Sequence, residues 1–178
     1  MSVFSGIQGV GLSGNRHKQD FYPTPPDVTK ARMKVLNLRE GTKVWEPACG
    51  TGEMVRAMTE CGMSVIGTDI KGGIDYLSVQ DLPENTGWII TNPPFSIAEE
   101  FIRHSATFGI PFAMLLKAQY FHAAKRMQLF HEIKPAFIFP LTWRPDFTGD
   151  GHPLMDVMWT VWVPGWWNAT TEYMPIGK

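Results

Sequence analysis

Apolar residues along this chain alternate between two patterns: short continuous runs, and longer stretches spaced by three and four. Val28, Ala31, Val35 and Leu38 follow the second, which predicts a helix over residues 27–37. Pro25 and Pro26 fit its start, because the first-turn N–H groups have no helical partner anyway. The runs at 43–46, 64–68, 87–91, 111–116, 136–141 and 157–163 are short and bounded by turn residues, so they read as strands; 74–77 is a weaker one. Residues 53–61, 97–108 and 120–133 read as helices. Strand and helix alternate through most of the chain, which predicts an α/β architecture: a mostly parallel twisted sheet of about seven strands with helices on both faces. A loop at 142–156, rather than a helix, joins the last two strands, so the final strand is expected to be antiparallel.

Composition narrows the classes. A chain of 178 residues, 44% hydrophobic and 19% charged, fits one ordinary globular domain. No apolar run is long enough for a membrane span. Residues 1–20 carry scattered glycines and the basic stretch Arg16-His17-Lys18 but no apolar signal core, so they read as a flexible arm on a cytoplasmic protein. Cys49 and Cys61 share no ligand spacing and the histidines are scattered, so no metal is expected. Net charge is −1, so contacts to an anionic polymer must come from local clusters.

Two segments carry candidate chemistry. Asn92-Pro93-Pro94-Phe95 directly follows the run Trp88-Ile89-Ile90-Thr91. The prolines fix φ and disfavour helix before them. In that extended corner the Asn92 side-chain oxygen and the Pro93 carbonyl can face one NH₂ group, with Phe95 flat against an aromatic ring. Standing alone, the tetrapeptide weighs about equally as a Pro-Pro turn whose Asn caps the next helix. The second segment is the turn Glu46-Pro47-Ala48-Cys49-Gly50-Thr51-Gly52, followed by Asp69 about 20 residues on. A dinucleotide site would share both features, but it would want a third glycine and a helix N-terminus free for pyrophosphate. Glu46 puts negative charge there instead. A cationic cofactor suits the turn better, and S-adenosylmethionine carries a sulfonium and an ammonium.

Taken in order, these pieces resemble the class I S-adenosylmethionine-dependent methyltransferases, and more narrowly the small, phage-type DNA N6-adenine methyltransferases. The resemblance runs over residues 21–163 and implies a single Rossmann-like domain over 21–178. Phe21-Tyr22-Pro23-Thr24-Pro25-Pro26 resembles the family's first cofactor segment, which implies contacts from Tyr22, Thr24 and Pro25, with Thr24 at the methionine carboxylate. Glu46, Pro47, Ala48, Gly50 and Gly52 resemble its cofactor loop, and Asp69 with Ile70 the ribose site. Asp75-Tyr76-Leu77 resembles the segment holding the cofactor adenine, although Asp81 competes with Asp75 for that role. Asn92, Pro93, Pro94 and Phe95 resemble the catalytic motif, with Asn92 also beside the cofactor. Cys49 reads as a small packing residue of the turn rather than a nucleophile for cytosine-C5 methylation.

The resemblance implies methyl transfer to the N6 amine of an adenine flipped out of duplex DNA, or presented on single-stranded DNA. Phe147, in a loop made mobile by Gly149 and Gly151, is either a second stacking ring or an anchor to the core. Lys117, His122, Lys125, Arg126 and Arg144, with Arg16 and Lys18 of the arm, are candidates for phosphate contacts; for Lys125 and Arg126 a solvated helix face is equally open. No separate target-recognition domain is expected after residue 163, hence relaxed or short sequence specificity, or specificity from an oligomer. Trp166 and Trp167 suggest a self-association surface and a homodimer. Protection of phage DNA from restriction is the role implied. An RNA adenine methyltransferase, and a non-catalytic cofactor-binding protein on the same fold, are the alternatives.

Overall fold

The computed structural model describes residues 22–153, 155–166 and 170–178; Arg16, Lys18 and Trp167 lie outside them. Strands β1 (Lys43–Glu46), β2 (Ser64–Gly67), β3 (Trp88–Thr91), β4 (Phe112–Lys117), β5 (Phe137–Pro140), β6 (Val157–Trp162) and β7 (Glu172–Tyr173) form one sheet in the order β2-β1-β3-β4-β6-β5-β7. The first four are mutually parallel, and β6 runs antiparallel between β4 and β5. Strand order reverses between β1 and β3, so a crevice opens at their carboxyl ends, where ligands of such sheets bind.

Helices α1 (Pro26–Leu36), α2 (Glu53–Glu60), α3 (Ala98–Thr107) and α4 (Met127–Glu132) surround the sheet. Alternate residues of the central strands serve opposite faces. Ile90, Leu115 and Trp159 pack with Val28 of α1 and Met54 and Met58 of α2. Ile89, Leu116 and Trp162 pack with Phe101 and Ile102 of α3 and Leu129 of α4. Burial on both faces is why these strands are nearly continuous apolar runs.

The pattern-based expectations fail in four places. Residues 74–77 form no strand; two 3₁₀ turns, Ile70–Gly72 and Tyr76–Ser78, occupy this stretch, each capped by the aspartate before it. Asp69 accepts from the Lys71 N–H and Asp75 from the Leu77 N–H, local bonds that compete with a sheet ladder. The seventh strand is instead β7, so the antiparallel β6 is not the last. The helix expected over 120–133 is broken into 3₁₀ turns (Ala118–His122, Ala124–Arg126) before α4. There the Arg126 guanidinium, not a helical N–H, reaches the Tyr120 carbonyl at 3.4 Å. In α1, Val35 is exposed and Arg32 faces the core instead. The Trp159 indole fixes that rotation by donating to the Val28 carbonyl at 3.1 Å. Arg32 lies 4.1 Å over the Phe139 ring, with no hydrogen-bond partner among the described residues, and burial pulls its pKa down to about 9. No described helix is long and apolar enough to cross a membrane.

Candidate active site

Glu46 closes β1 and is fully buried. One carboxyl oxygen accepts the Ala48 N–H at 3.0 Å and the hydroxyl of Thr91, the last residue of β3. The other oxygen has no partner among the described residues. Burial pushes this carboxyl up to about 8; the bonds from Thr91 and Ala48 pull the other way, and the nearby Asp69 charge adds to the rise. At neutral pH burial therefore favours the protonated form, against the negative charge expected of Glu46 from the sequence.

Gly50 and Gly52 take φ values of 52° and 86°, the left-handed region a side chain would strain. The turn is clamped to the next strand, because the Gly50 N–H donates to Asp69 Oδ2 at 2.9 Å. Gly67 makes room for it: a Cβ there would lie 2.8 Å from Val55 and 3.2 Å from Cys49, so Cys49 packs against β2. Asp75 caps the next 3₁₀ turn and accepts from the Ser78 hydroxyl at 3.3 Å. The Tyr76 ring is buried, sharing a 2.6 Å hydrogen bond with Ser105 and packing on Trp45 and Phe101 at 5.1 and 4.7 Å.

Asn92 leaves β3 into the proline corner. Its Nδ2 donates to the Tyr22 carbonyl (3.3 Å) and to Thr24 Oγ1 (3.0 Å). A carbonyl can only accept, so this contact fixes which end of the amide faces it. Oδ1 is thereby left buried and without a donor among the described residues. Beside it, the half-buried Phe95 ring stands 6.1 Å from the ring of Tyr22, which meets Phe147 edge-on at 6.1 Å. The Lys117 ammonium lies 4.4 Å over Phe95 and 5.9 Å from Tyr22.

These groups border a cleft that opens to solvent. It brings together Tyr22, Thr24, Glu46, Pro47, Ala48, Gly50, Asp69, Ile70, Asp75, Tyr76, Asn92 and Pro94 of the residues singled out in the sequence. Pro25, Gly52, Asp81 and the buried Pro93 are not in its lining; Phe95, Lys117 and Phe147 gather around Tyr22, which is. The polymer-side cations lie elsewhere. Arg144 pairs with Asp156 at 2.7 and 3.2 Å, and the Arg126 guanidinium sits 3.6 Å over Tyr120. Lys125 and His122 are exposed on their 3₁₀ turns. Phe147 is buried, and Trp166 packs on Phe137 at 5.4 Å and donates to the Thr170 carbonyl at 3.1 Å. Sequence reasoning missed Thr91 and the apolar wall of Met54, Ile97 and Phe101. The signal for Thr91 was a polar residue ending an apolar strand beside Asn92, on the strand parallel to the one Glu46 ends.

No protein-family model and no curated protein matches the sequence. Solved structures do. The chain is similar to a type I restriction-modification methyltransferase subunit from Streptococcus thermophilus, with TM-score 0.63 at 13% identity over 86% of this chain and 47% of that one. It is similar to a candidate RNA methyltransferase from Pyrococcus horikoshii, with TM-score 0.65 at 13% identity over 87% and 92%. A candidate class I S-adenosylmethionine-dependent methyltransferase from Listeria monocytogenes gives TM-score 0.59 at 14% identity over 97% and 67%. The chain spans about half the length of the restriction-modification subunits it matches. Its fold is that of the class I methyltransferases.

Proposed function

We propose that the protein transfers a methyl group from S-adenosylmethionine to the N6 amine of a flipped-out adenine in DNA. The observation that carries this is Asn92: its amide nitrogen is held by Tyr22 and Thr24, while its oxygen is buried without a donor among the described residues. A buried acceptor left unpaired costs about 1–3 kcal/mol, a cost that an incoming amine removes.

The cleft fits the cofactor. The partnerless Glu46 oxygen suits an ammonium, Asp69 offers carboxylate oxygens toward ribose hydroxyls, and Asp75 lies along the same wall. Bound there, S-adenosylmethionine supplies an electrophilic methyl on a sulfonium. The chain does the rest. Adenine's amine is a weak nucleophile because its lone pair is delocalised into the ring. Asn92 Oδ1 accepts one of its hydrogens and the Pro93 carbonyl, which leads into the lining residue Pro94, accepts the other; this localises the lone pair toward the methyl. Asn92 is neutral, so it positions rather than deprotonates, and the surplus proton leaves to solvent after transfer. Held geometry of this kind is worth up to about 7–11 kcal/mol, and acceptors facing developing positive charge add to it. Flipping the nucleotide costs a few kcal/mol, and stacking on Phe95 returns about 1–3 kcal/mol.

The likeness to a restriction-modification methyltransferase subunit supports DNA, and the likeness to a candidate RNA methyltransferase favours RNA as the second reading. The discriminating experiment incubates the protein with labelled S-adenosylmethionine and, separately, duplex DNA, single-stranded DNA, RNA and protein. Digestion then identifies the labelled product. N6-methyldeoxyadenosine is expected; label only in RNA or protein, or none, rejects the DNA assignment.

A further inference from the structure

Several described cations at the protein surface are held by carboxylates: Arg144 by Asp156, Arg103 by Glu99 and Glu132, Arg56 by Glu53, and Lys30 by Glu60. Lys117 differs. It ends β4 beside the catalytic corner and makes no ion pair through its ammonium among the described residues. That ammonium rests instead 4.4 Å from the centre of the Phe95 ring, with Tyr22 at 5.9 Å. On the proposal above a flipped base stacks on Phe95, and a base that takes the ring face covered by the ammonium must displace it.

We propose that Lys117 is a specificity-determining residue that reserves this face for bases carried on a phosphate backbone. The inference rests on the methyl-transfer proposal above and adds to it a selection between polymer and free nucleoside. Before substrate arrives, the ammonium holds the ring face through cation–π attraction. A base must displace it to stack. A polynucleotide brings phosphates that receive the displaced charge, and the four-carbon stem of lysine gives the ammonium the reach to swing toward them. A nucleoside brings no such acceptor, so the ammonium would leave its ring contact for water alone. Tyr22, wedged between Phe95 and Phe147, keeps the aromatic frame in place while the lysine moves.

The test compares wild type, Lys117→Met and Lys117→Arg, with thermal melts confirming that all three fold. Methionine keeps an unbranched stem and removes the charge; arginine keeps charge and ring stacking. Probes are 2-aminopurine riboside and a short oligonucleotide carrying one 2-aminopurine, each read by fluorescence quenching. Labelled methyl transfer to adenosine and to an adenine oligonucleotide runs in parallel. Expected for Lys117→Met is tighter riboside binding with weaker oligonucleotide binding, so that the preference for polymer falls about tenfold. The salt slope of oligonucleotide binding drops by about one phosphate contact, and Lys117→Arg retains most of the preference. A merely structural lysine would lower both affinities together and leave their ratio unchanged, which overturns the inference. If DNA is methylated and the ratio is unchanged, only this inference fails. If wild type neither binds nor methylates any adenine probe, the methyl-transfer proposal fails and this one with it.

Discussion

At the carboxyl ends of β1 and β3, two polar atoms are buried without a hydrogen-bond partner among the described residues: the free oxygen of Glu46 and Oδ1 of Asn92. At the end of β4 and in the loop over residues 141–156, most of the cations are already engaged. Arg144 holds Asp156, Arg126 lies over Tyr120 and Lys117 lies over Phe95. The two regions differ in what change would cost. A buried orphaned acceptor is expensive and is kept where a ligand completes it. An exposed ion pair or ring contact is worth little and exchanges readily. On the proposed function, one region is built in advance of its ligand, and the other is built to rearrange around it.

Breaking the first region should have the largest effect. Asn92→Ala is expected to lower the single-turnover rate by about 10²–10³-fold, as for loss of one preorganised hydrogen-bond partner. Cofactor affinity measured by calorimetry should fall much less, though not zero-fold, because Thr24 loses its Asn92 contact. Next in size is Phe95→Ala, which should weaken binding of an extrahelical base by about 1–3 kcal/mol in a quenching titration.

Glu46 sharpens the comparison through pH. Burial pushes its carboxyl up to about 8, and a bound cation favours the ionised form. Affinity for S-adenosylmethionine should therefore rise by up to about tenfold per pH unit on approach to pH 8 from below, then level off. Glu46→Gln should flatten that profile and bind more weakly at high pH. Stability has the opposite sign. The folded state keeps a proton that the unfolded chain releases near its ordinary value of 4.5, so stability from this group is full below that pH and is lost as pH rises toward 8. Melts across this range should show less of that decline in Glu46→Gln. Smallest of all is Arg144→Ala: with its charge already paired to Asp156, the salt slope of nucleic-acid binding should move by less than one phosphate contact in anisotropy titrations.

What the sequence disclosed and withheld follows the range of the forces involved. The strands of the central sheet were legible because burial on both faces leaves continuous apolar runs, and the glycine turn because left-handed φ angles restrict the residue locally. Asn92 stood out because two prolines follow it. Residues 74–77 misled because Asp69 and Asp75 cap their own turns, an outcome that apolar pattern does not encode. β7 was invisible because its two residues take their place from the neighbouring strand, through Glu172 N–H to Ala136 and Met174 N–H to Ile138. The Glu46–Thr91 bond needed the strand order, since those residues lie 45 positions apart. The fate of the cations was likewise beyond sequence, because Arg144 finds its partner 12 positions on across its own loop and Lys117 lies over a ring from another element.

The most direct measurement is a structure of the protein with the demethylated cofactor and an adenine-containing oligonucleotide. The expected result places the adenine N6 about 3 Å from Asn92 Oδ1, a hydrogen-bond distance, with the base on Phe95 and Lys117 drawn off that ring toward a phosphate. A base bound outside the cleft, or one whose amine faces away from Asn92 while the oxygen stays unpaired, would contradict it.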